Sequence, residues 1–211
     1  MAHKLTFGFA VDDVLRQHGE RVHQLFKRGY PEGNVLSDKP DPFSLTSSYE
    51  FRTNDTRSPR EKEQLFLKFI NTDYIVELFG TAGEPYFNAI KEFNDVCKFL
   101  TDEGHDVCVV SKEFGLTKPL TLSFLGGKGC LVDTVYFIDN DLDYFNRCDV
   151  LVAANYKLFT QKPEGCRVVR MLTPYNERHT AGVDLTINTL AELGSKKVLK
   201  ELLDILEDFH S

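Results

Sequence analysis

Two carboxylates, Asp12 and Asp13, stand at the end of the apolar, β-favouring run Phe7-Gly8-Phe9-Ala10-Val11. A buried strand that delivers acidic groups to its carboxyl end is where open α/β sheets place their chemistry. The pair is therefore a candidate acidic catalytic centre. Two further apolar runs end in the same way. Val109-Val110 stops at Ser111, and Val150-Leu151-Val152 stops at Ala153-Ala154-Asn155. Each polar residue also has a plainer role. Asp12-Asp13 suits a helix amino terminus, Ser111 a helix cap, and Lys118 a solvated surface.

The elements that must position these residues alternate along the chain. Residues 5–11 read as a fully buried strand. A helical pattern with Val14, Leu15, Val22, Leu25 and Phe26 follows and ends near Gly29. Residues 30–57 hold Pro31, Gly33, Pro40 and Pro42, and read as loop with a short strand at 48–52. Ser58-Pro59-Arg60-Glu61 is a strong helix start, with a capping serine, a proline at the first turn and a glutamate to close the capping box. That helix carries Leu65, Phe66, Phe69 and Ile70 on one face. An apolar segment at 74–79 stops at Gly80, and residues 84–100 read as a helix burying Phe87, Ile90, Phe93, Cys97 and Leu100.

Strand-like runs then recur at 107–110, 134–138, 149–153 and 167–172, with a helix opened by Thr117-Lys118-Pro119 and closed by Gly126-Gly127. A last helix has Val198, Leu202, Ile205 and Phe209 along one stripe. Short apolar strands alternating with helices argue an α/β fold, a parallel sheet covered by helices on both faces. The roughly 95 residues between the first two strands are too many for a simple crossover. They are mostly helical, so an inserted helical cap is expected, with residues 1–16 and 80–211 forming the core and 17–79 the cap.

Composition excludes several classes. A net charge of -7 disfavours general nucleic-acid binding. An isolated nucleotide or small phosphate ester needs only a few donors and stays open. Five cysteines, at 97, 108, 130, 148 and 166, form no CxxC pair and are odd in number, which suits reduced thiols in a cytoplasmic protein. The first residues lead straight into a strand-like run and no apolar stretch approaches ~18 residues, so neither a signal peptide nor a membrane span is expected. The six histidines lack metal-ligand spacing, and Gly126-Gly127-Lys128-Gly129 lacks the spacing of a P-loop.

In order and flanks, the three strand ends resemble the haloacid dehalogenase-like (HAD) phosphohydrolases. The resemblance spans residues 5–17 and 80–178 and looks closest to the 5'-nucleotidase and 5'(3')-deoxyribonucleotidase branch. Ala10-Val11-Asp12-Asp13-Val14 matches the first motif, Val109-Val110-Ser111 the second, and Asp149-Val150-Leu151-Val152-Ala153-Ala154-Asn155 the fourth. The third motif, a lysine, is matched by Lys118 or, second, Lys128. The segment 139–143 has none. The resemblance implies a HAD-like Rossmannoid sheet. It also implies a phosphoaspartyl mechanism in which the first Asp attacks phosphorus, the second acts as acid and base, and Ser and Lys hold the phosphoryl group. Mg²⁺ would sit on the first Asp, the second Asp's backbone carbonyl and a fourth-motif Asp.

The chain departs from that pattern at the acids. Ala10 stands at the nucleophile position, and Ala153 and Ala154 at the metal-binding positions. Asp12 keeps the acid/base position and its carbonyl. A methyl group neither attacks phosphorus nor binds Mg²⁺, so little or no phosphatase activity is expected and no cofactor is implied for the chain as written. Mg²⁺ belongs to an active parent or relative. With the acids gone, Asp13, Ser111, Lys118 and the loop amides could bind phosphate without metal.

Three functions follow. One is a nucleotidase-like pseudoenzyme that binds a nucleotide, a phosphate ester or a protein partner. Another is an Mg²⁺-dependent nucleotidase whose acids were replaced by alanine. The third is a structural or interaction protein, including one that self-associates. Arg16, His18 and Arg21, just past the first motif, either contact substrate or line a solvated helix face. Thr173-Pro174-Tyr175-Asn176 reads as a proline-initiated turn whose Tyr175 could line the site.

Overall fold

The computed structural model describes residues 4–207, with side chains through Leu203. The chain runs β1 (Thr6–Ala10), α1 (Gly19–Gly29), β2 (Asn34–Val35), α2 (Leu45–Ser48), β3 (Tyr49–Glu50) and α3 (Pro59–Lys68). Two π-helical turns, Phe69–Asp73 and Val76–Gly80, lead to α4 (Ala89–Asp102). The remainder is β4 (Asp106–Lys112), α5 (Thr117–Gly127), β5 (Val135–Ile138), β6 (Val150–Ala153), β7 (Arg167–Met171), β8 (Leu185–Ile187) and α6 (Lys196–Glu207).

Six strands form one sheet in the order β5-β4-β1-β6-β7-β8, every pair parallel. The chain steps from β1 to β4 and β5 toward one edge, then from β6 to β7 and β8 toward the other. Crossovers of constant hand therefore place their helices on opposite faces. The order reverses between β1 and β6, and the crevice at such a switch point is where open α/β sheets bind ligands. The side chains on β1 and β6 are buried almost without exception because both faces are covered. Gly8 is needed within β1: a Cβ there would lie 2.6 Å from Cys148 Sγ.

The buried apolar residues fall into two clusters. One surrounds the sheet and includes Phe9, Phe93, Val109, Val152 and Val169. The other joins Val22, Leu25, Phe26, Tyr49, Phe51, Phe66, Phe69, Leu78 and Phe79, all within the segment expected to be the cap. Phe26 is its hub, with Tyr49 at 4.6 Å and Phe51 at 5.6 Å between ring centroids. The capping box at Ser58 and Glu61 forms as its residues require.

Several expectations change. Val14 and Leu15 are buried in a turn, and α1 begins only at Gly19. Phe87 is 88% exposed rather than buried, because α4 starts at Ala89 after Asn88 adopts a left-handed backbone (φ 67°). The Glu84 carboxylate instead accepts the Ile90 amide from outside the helix. β8 was not anticipated: three residues are too few to carry a strand pattern. The Ile205 side chain and Phe209 of the last stripe lie outside the described residues. No helix among the described residues is long and apolar enough to cross a membrane.

Candidate functional site

The carboxyl end of β1 is a tight turn that uses its own polar groups. The Val11 carbonyl accepts the amides of Leu15 and Arg16, each at 2.9 Å, and the Asp13 amide donates to the Arg16 carbonyl at 2.7 Å. Asp13 takes a left-handed backbone, φ 57°. The turn amides expected to cradle a phosphate are thus occupied within the fold.

That turn folds Arg16 inward beneath Asp12. The Arg16 side chain is 0% exposed, so its charge must be met inside the protein. Its Nε and Nη2 donate to Asp12 Oδ1 at 2.9 and 2.6 Å. Nη2 also donates to Glu113 Oε1 at 3.0 Å, and Nη1 to Thr121 Oγ1 at 2.6 Å and the Phe79 carbonyl at 3.1 Å. The guanidinium carbon sits 4.7 Å from the centroid of the Phe79 ring. Glu113 is as deeply placed, its side chain 1% exposed, and its Oε1 also accepts Ser111 Oγ at 3.1 Å and Thr121 Oγ1 at 2.7 Å. His18, also buried, brings Nδ1 to 3.5 Å from Asp12 Oδ1 and packs beside Phe43 and Phe79. Burial opposes ionisation of Asp12, but the charges of Arg16 and His18 and the Arg16 hydrogen bonds prevail, so its pKa lies below the ordinary value. Arg16 is held charged by Asp12 and Glu113 against its own burial.

Asp13 leaves the turn in another direction. Its Oδ1 accepts the amides of His18 and Gly19 at 2.8 and 2.9 Å, and its Oδ2 accepts Tyr175 Oη at 2.6 Å. It therefore caps the entrance to α1. Burial is the largest influence on Asp13 and, with Asp12 nearby, lifts its pKa above the ordinary value despite His18, Tyr175 and Gly19. The same burial, the Asp13 charge and the bond to Asp13 push the Tyr175 phenol up.

The sequence-expected residues are only partly gathered. Asp12 meets Arg16 directly, Ser111 reaches it only through Glu113, and Ala10 is buried at the end of β1. Lys118 projects its ammonium to 5.9 Å from the centroid of the Phe137 ring on the edge strand β5. Lys128 caps the far, carboxyl end of α5 and is exposed. Asp13 is committed to the start of α1 and Tyr175, Ser111 to Glu113, and Lys118 lies near Phe137, the β5 neighbour of Ser111. Ala153 and Ala154 are fully buried, and the Ala154 carbonyl accepts Asn176 Nδ2 at 2.9 Å. Asn176 also donates to the Met171 carbonyl at 2.8 Å and fixes the turn that starts at Thr173. Neither Arg16 nor His18 lies on a solvated face. Glu113 and Thr121 were not read from the sequence, and Asn176 only as part of a proline-initiated turn. The one signal that could have found the cluster is the Asp12/Arg16 spacing of four, which suits a pair of opposite charges within one turn.

The residues present do not fit Mg²⁺. That ion needs a near-ideal octahedron of oxygens. Here methyl groups stand at 10, 153 and 154, which leaves the Asp12 backbone carbonyl alone of the expected ligands, and the Asp12 carboxylate receives two guanidinium N–H groups. Among the described residues, no group of three or more His, Cys, Asp or Glu is placed to hold a metal.

An open parallel sheet with polar groups at the β1 strand end defines an α/β Rossmannoid fold, and comparison with solved structures narrows it. A HAD family hydrolase from Deinococcus radiodurans R1, solved with bound phosphate and sodium, matches with TM-score 0.56 and 13% identity, covering 96% of this chain and 98% of that one. A β-phosphoglucomutase from Clostridium difficile matches at 0.54 and 11%, covering 98% and 100%. A haloacid dehalogenase-like family hydrolase from Xanthomonas campestris matches at 0.53 and 9%, covering 99% and 100%. This chain has the haloacid dehalogenase-like fold. No family model matches the sequence, and no curated protein matches it.

Proposed function

We propose that this protein is a haloacid dehalogenase-fold protein that performs no phosphoryl transfer and works by binding. The observation that carries the reading is Arg16. Its guanidinium lies between Asp12 and Glu113, in the place where the resemblance would put substrate phosphate and metal, beside an alanine at the nucleophile position. A phosphate dianion there would find the Ser111 hydroxyl already donating to Glu113 and would face two carboxylates. Nucleotide recognition at this spot loses its donors. The nucleotidase branch rests on motif order alone.

An Mg²⁺-dependent nucleotidase with replaced acids is the weaker reading. Arg16 and Glu113 stand against it more firmly than the alanines do, because restoring Asp at 10, 153 and 154 leaves the guanidinium in place. A protein partner or self-association is the other binding mode. It is favoured by Phe114 and Leu116 after β4 and Leu142 after β5, exposed side chains at the ends of adjacent strands.

Hydrolysis of 5'-mononucleotides and p-nitrophenyl phosphate with Mg²⁺ is the test. The protein and its Ala10→Asp/Ala153→Asp/Ala154→Asp variant are both expected to stay at background. Turnover by the unaltered chain would overturn the reading. Turnover by the variant alone would favour the replaced-acid alternative.

A further inference from the structure

A cleft of ≈ 920 Å³ opens beside Asp13, between α1 and the exit of β7. Asp13, Gly19 and Tyr175 line it, while Asp12, Ser111 and Glu113 do not. Its volume is that of a small-molecule site. We propose that this cleft binds an uncharged, planar small molecule with amide-like donors and acceptors, and not a phosphorylated one. The proposal rests on the reading that the chain works by binding and names the class of ligand.

Charge decides against a phosphate ester. Asp13, Glu20 and Asp38 line the cleft against Lys27 and Lys39, three acids to two amines. Lys39 already pairs with Glu177. Partial burial and then Lys27 hold the His23 imidazole below its ordinary pKa, which keeps it neutral near pH 7. A helix amino terminus is otherwise a natural phosphate seat, but the first amides of α1 are taken by the Asp13 carboxylate. An anion would find the His18 and Gly19 amides taken and no excess of positive charge.

The walls suit a flat, neutral molecule. Tyr86 and Tyr175, with Pro40, Pro85 and Pro174, offer planar apolar faces. The carboxamides of Gln17 and Asn188 and the Thr173 hydroxyl can each donate and accept, which matches the edge of an amide or heteroaromatic ring.

Metal-free titration calorimetry with uridine, adenosine and nicotinamide, and with uridine and adenosine 5'-monophosphates, tests this. At least one uncharged probe should bind with a Kd below about 1 mM, and a nucleoside should bind about tenfold more tightly than its own monophosphate. Asn188→Trp, at an exposed position on the cleft, should abolish binding, and Leu131→Trp, exposed elsewhere, should leave it unchanged. The proposal is overturned by no heat from any uncharged probe at millimolar concentration, by a monophosphate that binds as tightly as its nucleoside, or by binding that survives Asn188→Trp. Phosphate release from the same monophosphates in parallel samples containing Mg²⁺ reports separately on whether the chain hydrolyses esters, so the two readings fail independently.

Discussion

Asp12 and Asp13 are consecutive residues with opposite surroundings. Asp12 points toward Arg16, Glu113 and Thr121, where the charges and hydroxyls pair with one another inside the protein. Asp13 turns toward α1 and Tyr175, at the wall of an open cleft. The left-handed backbone at Asp13 separates the two side chains. The Asp12 side chain is 26% exposed, yet its partners are buried. The difference teaches where a binding function can reside. The first pocket already holds its counter-charge, so a ligand there must displace a guanidinium. The second needs no displacement, because its carboxylate is spent on capping and the acids and amines among its other lining residues leave no excess of positive charge.

The sharpest way to break this comparison is to remove the internal cation. Arg16→Met leaves Glu113 buried without its positive partner. Breaking a buried pair from one side typically costs about 3–5 kcal/mol, so a loss of that order is expected in urea denaturation. Glu113→Gln added to Arg16→Met should recover part of it, giving a coupling well above additivity. A loss under about 1 kcal/mol for Arg16→Met would place it with exposed ion pairs and end the claim that this pocket is electrostatically closed.

The Asp13 side is expected to be less costly to cut. Tyr175→Phe deletes one hydrogen bond to a carboxylate and should cost about 1.5–3 kcal/mol, while the backbone amides of His18 and Gly19 still hold Asp13. Ser111→Ala removes one of three kinds of donor to Glu113 Oε1 and should cost about 1 kcal/mol. Its further value is diagnostic. If Ser111 holds a phosphate ligand, the variant weakens phosphate binding. If it serves only Glu113, stability changes and ligand affinity does not.

The sheet was legible because both of its faces are covered: β1, β4 and β6 hold continuous apolar runs, and β7 sets Val168 and Val169 between Arg167 and Arg170 and ends at Met171. β8 was not, since Leu185-Thr186-Ile187 is short and its partner strand supplies the register. At the site, the sequence marked the three strand ends and the missing acids. It could not show what replaced them. Arg16, just past the first motif, read as a substrate contact or as part of a solvated helix face, and neither reading places it inside the protein. Glu113 is separated from Arg16 by 97 positions, and only the pairing of β1 with β4 brings them together. Phe87 fitted the helical stripe of α4, but Asn88 breaks the backbone just after it. Lys118 matched by order, and the direction of its side chain depends on β5.

The smallest expected effect is the most specific, because the two carboxylates should respond to acid with opposite signs. Asp12 has its folded pKa below the ordinary value, so its contribution is fully present above the unfolded pKa and is lost as pH falls through the folded one. Asp13 has its folded pKa above the ordinary value. The folded state then binds the extra proton, so its contribution is present below the unfolded pKa and is lost as pH rises through the folded one. Urea denaturation between about pH 3 and about pH 7 separates them, since one titrating group changes stability by at most ~1.4 kcal/mol per pH unit. Asp12→Asn should flatten the loss of stability on acidification. Asp13→Asn should instead remove a decline that accompanies rising pH and should leave the acid limb of the unaltered protein intact. Should both variants shift the acid limb in the same direction, the two carboxylates share one electrostatic environment, and the division between a closed pocket and an open cleft does not hold.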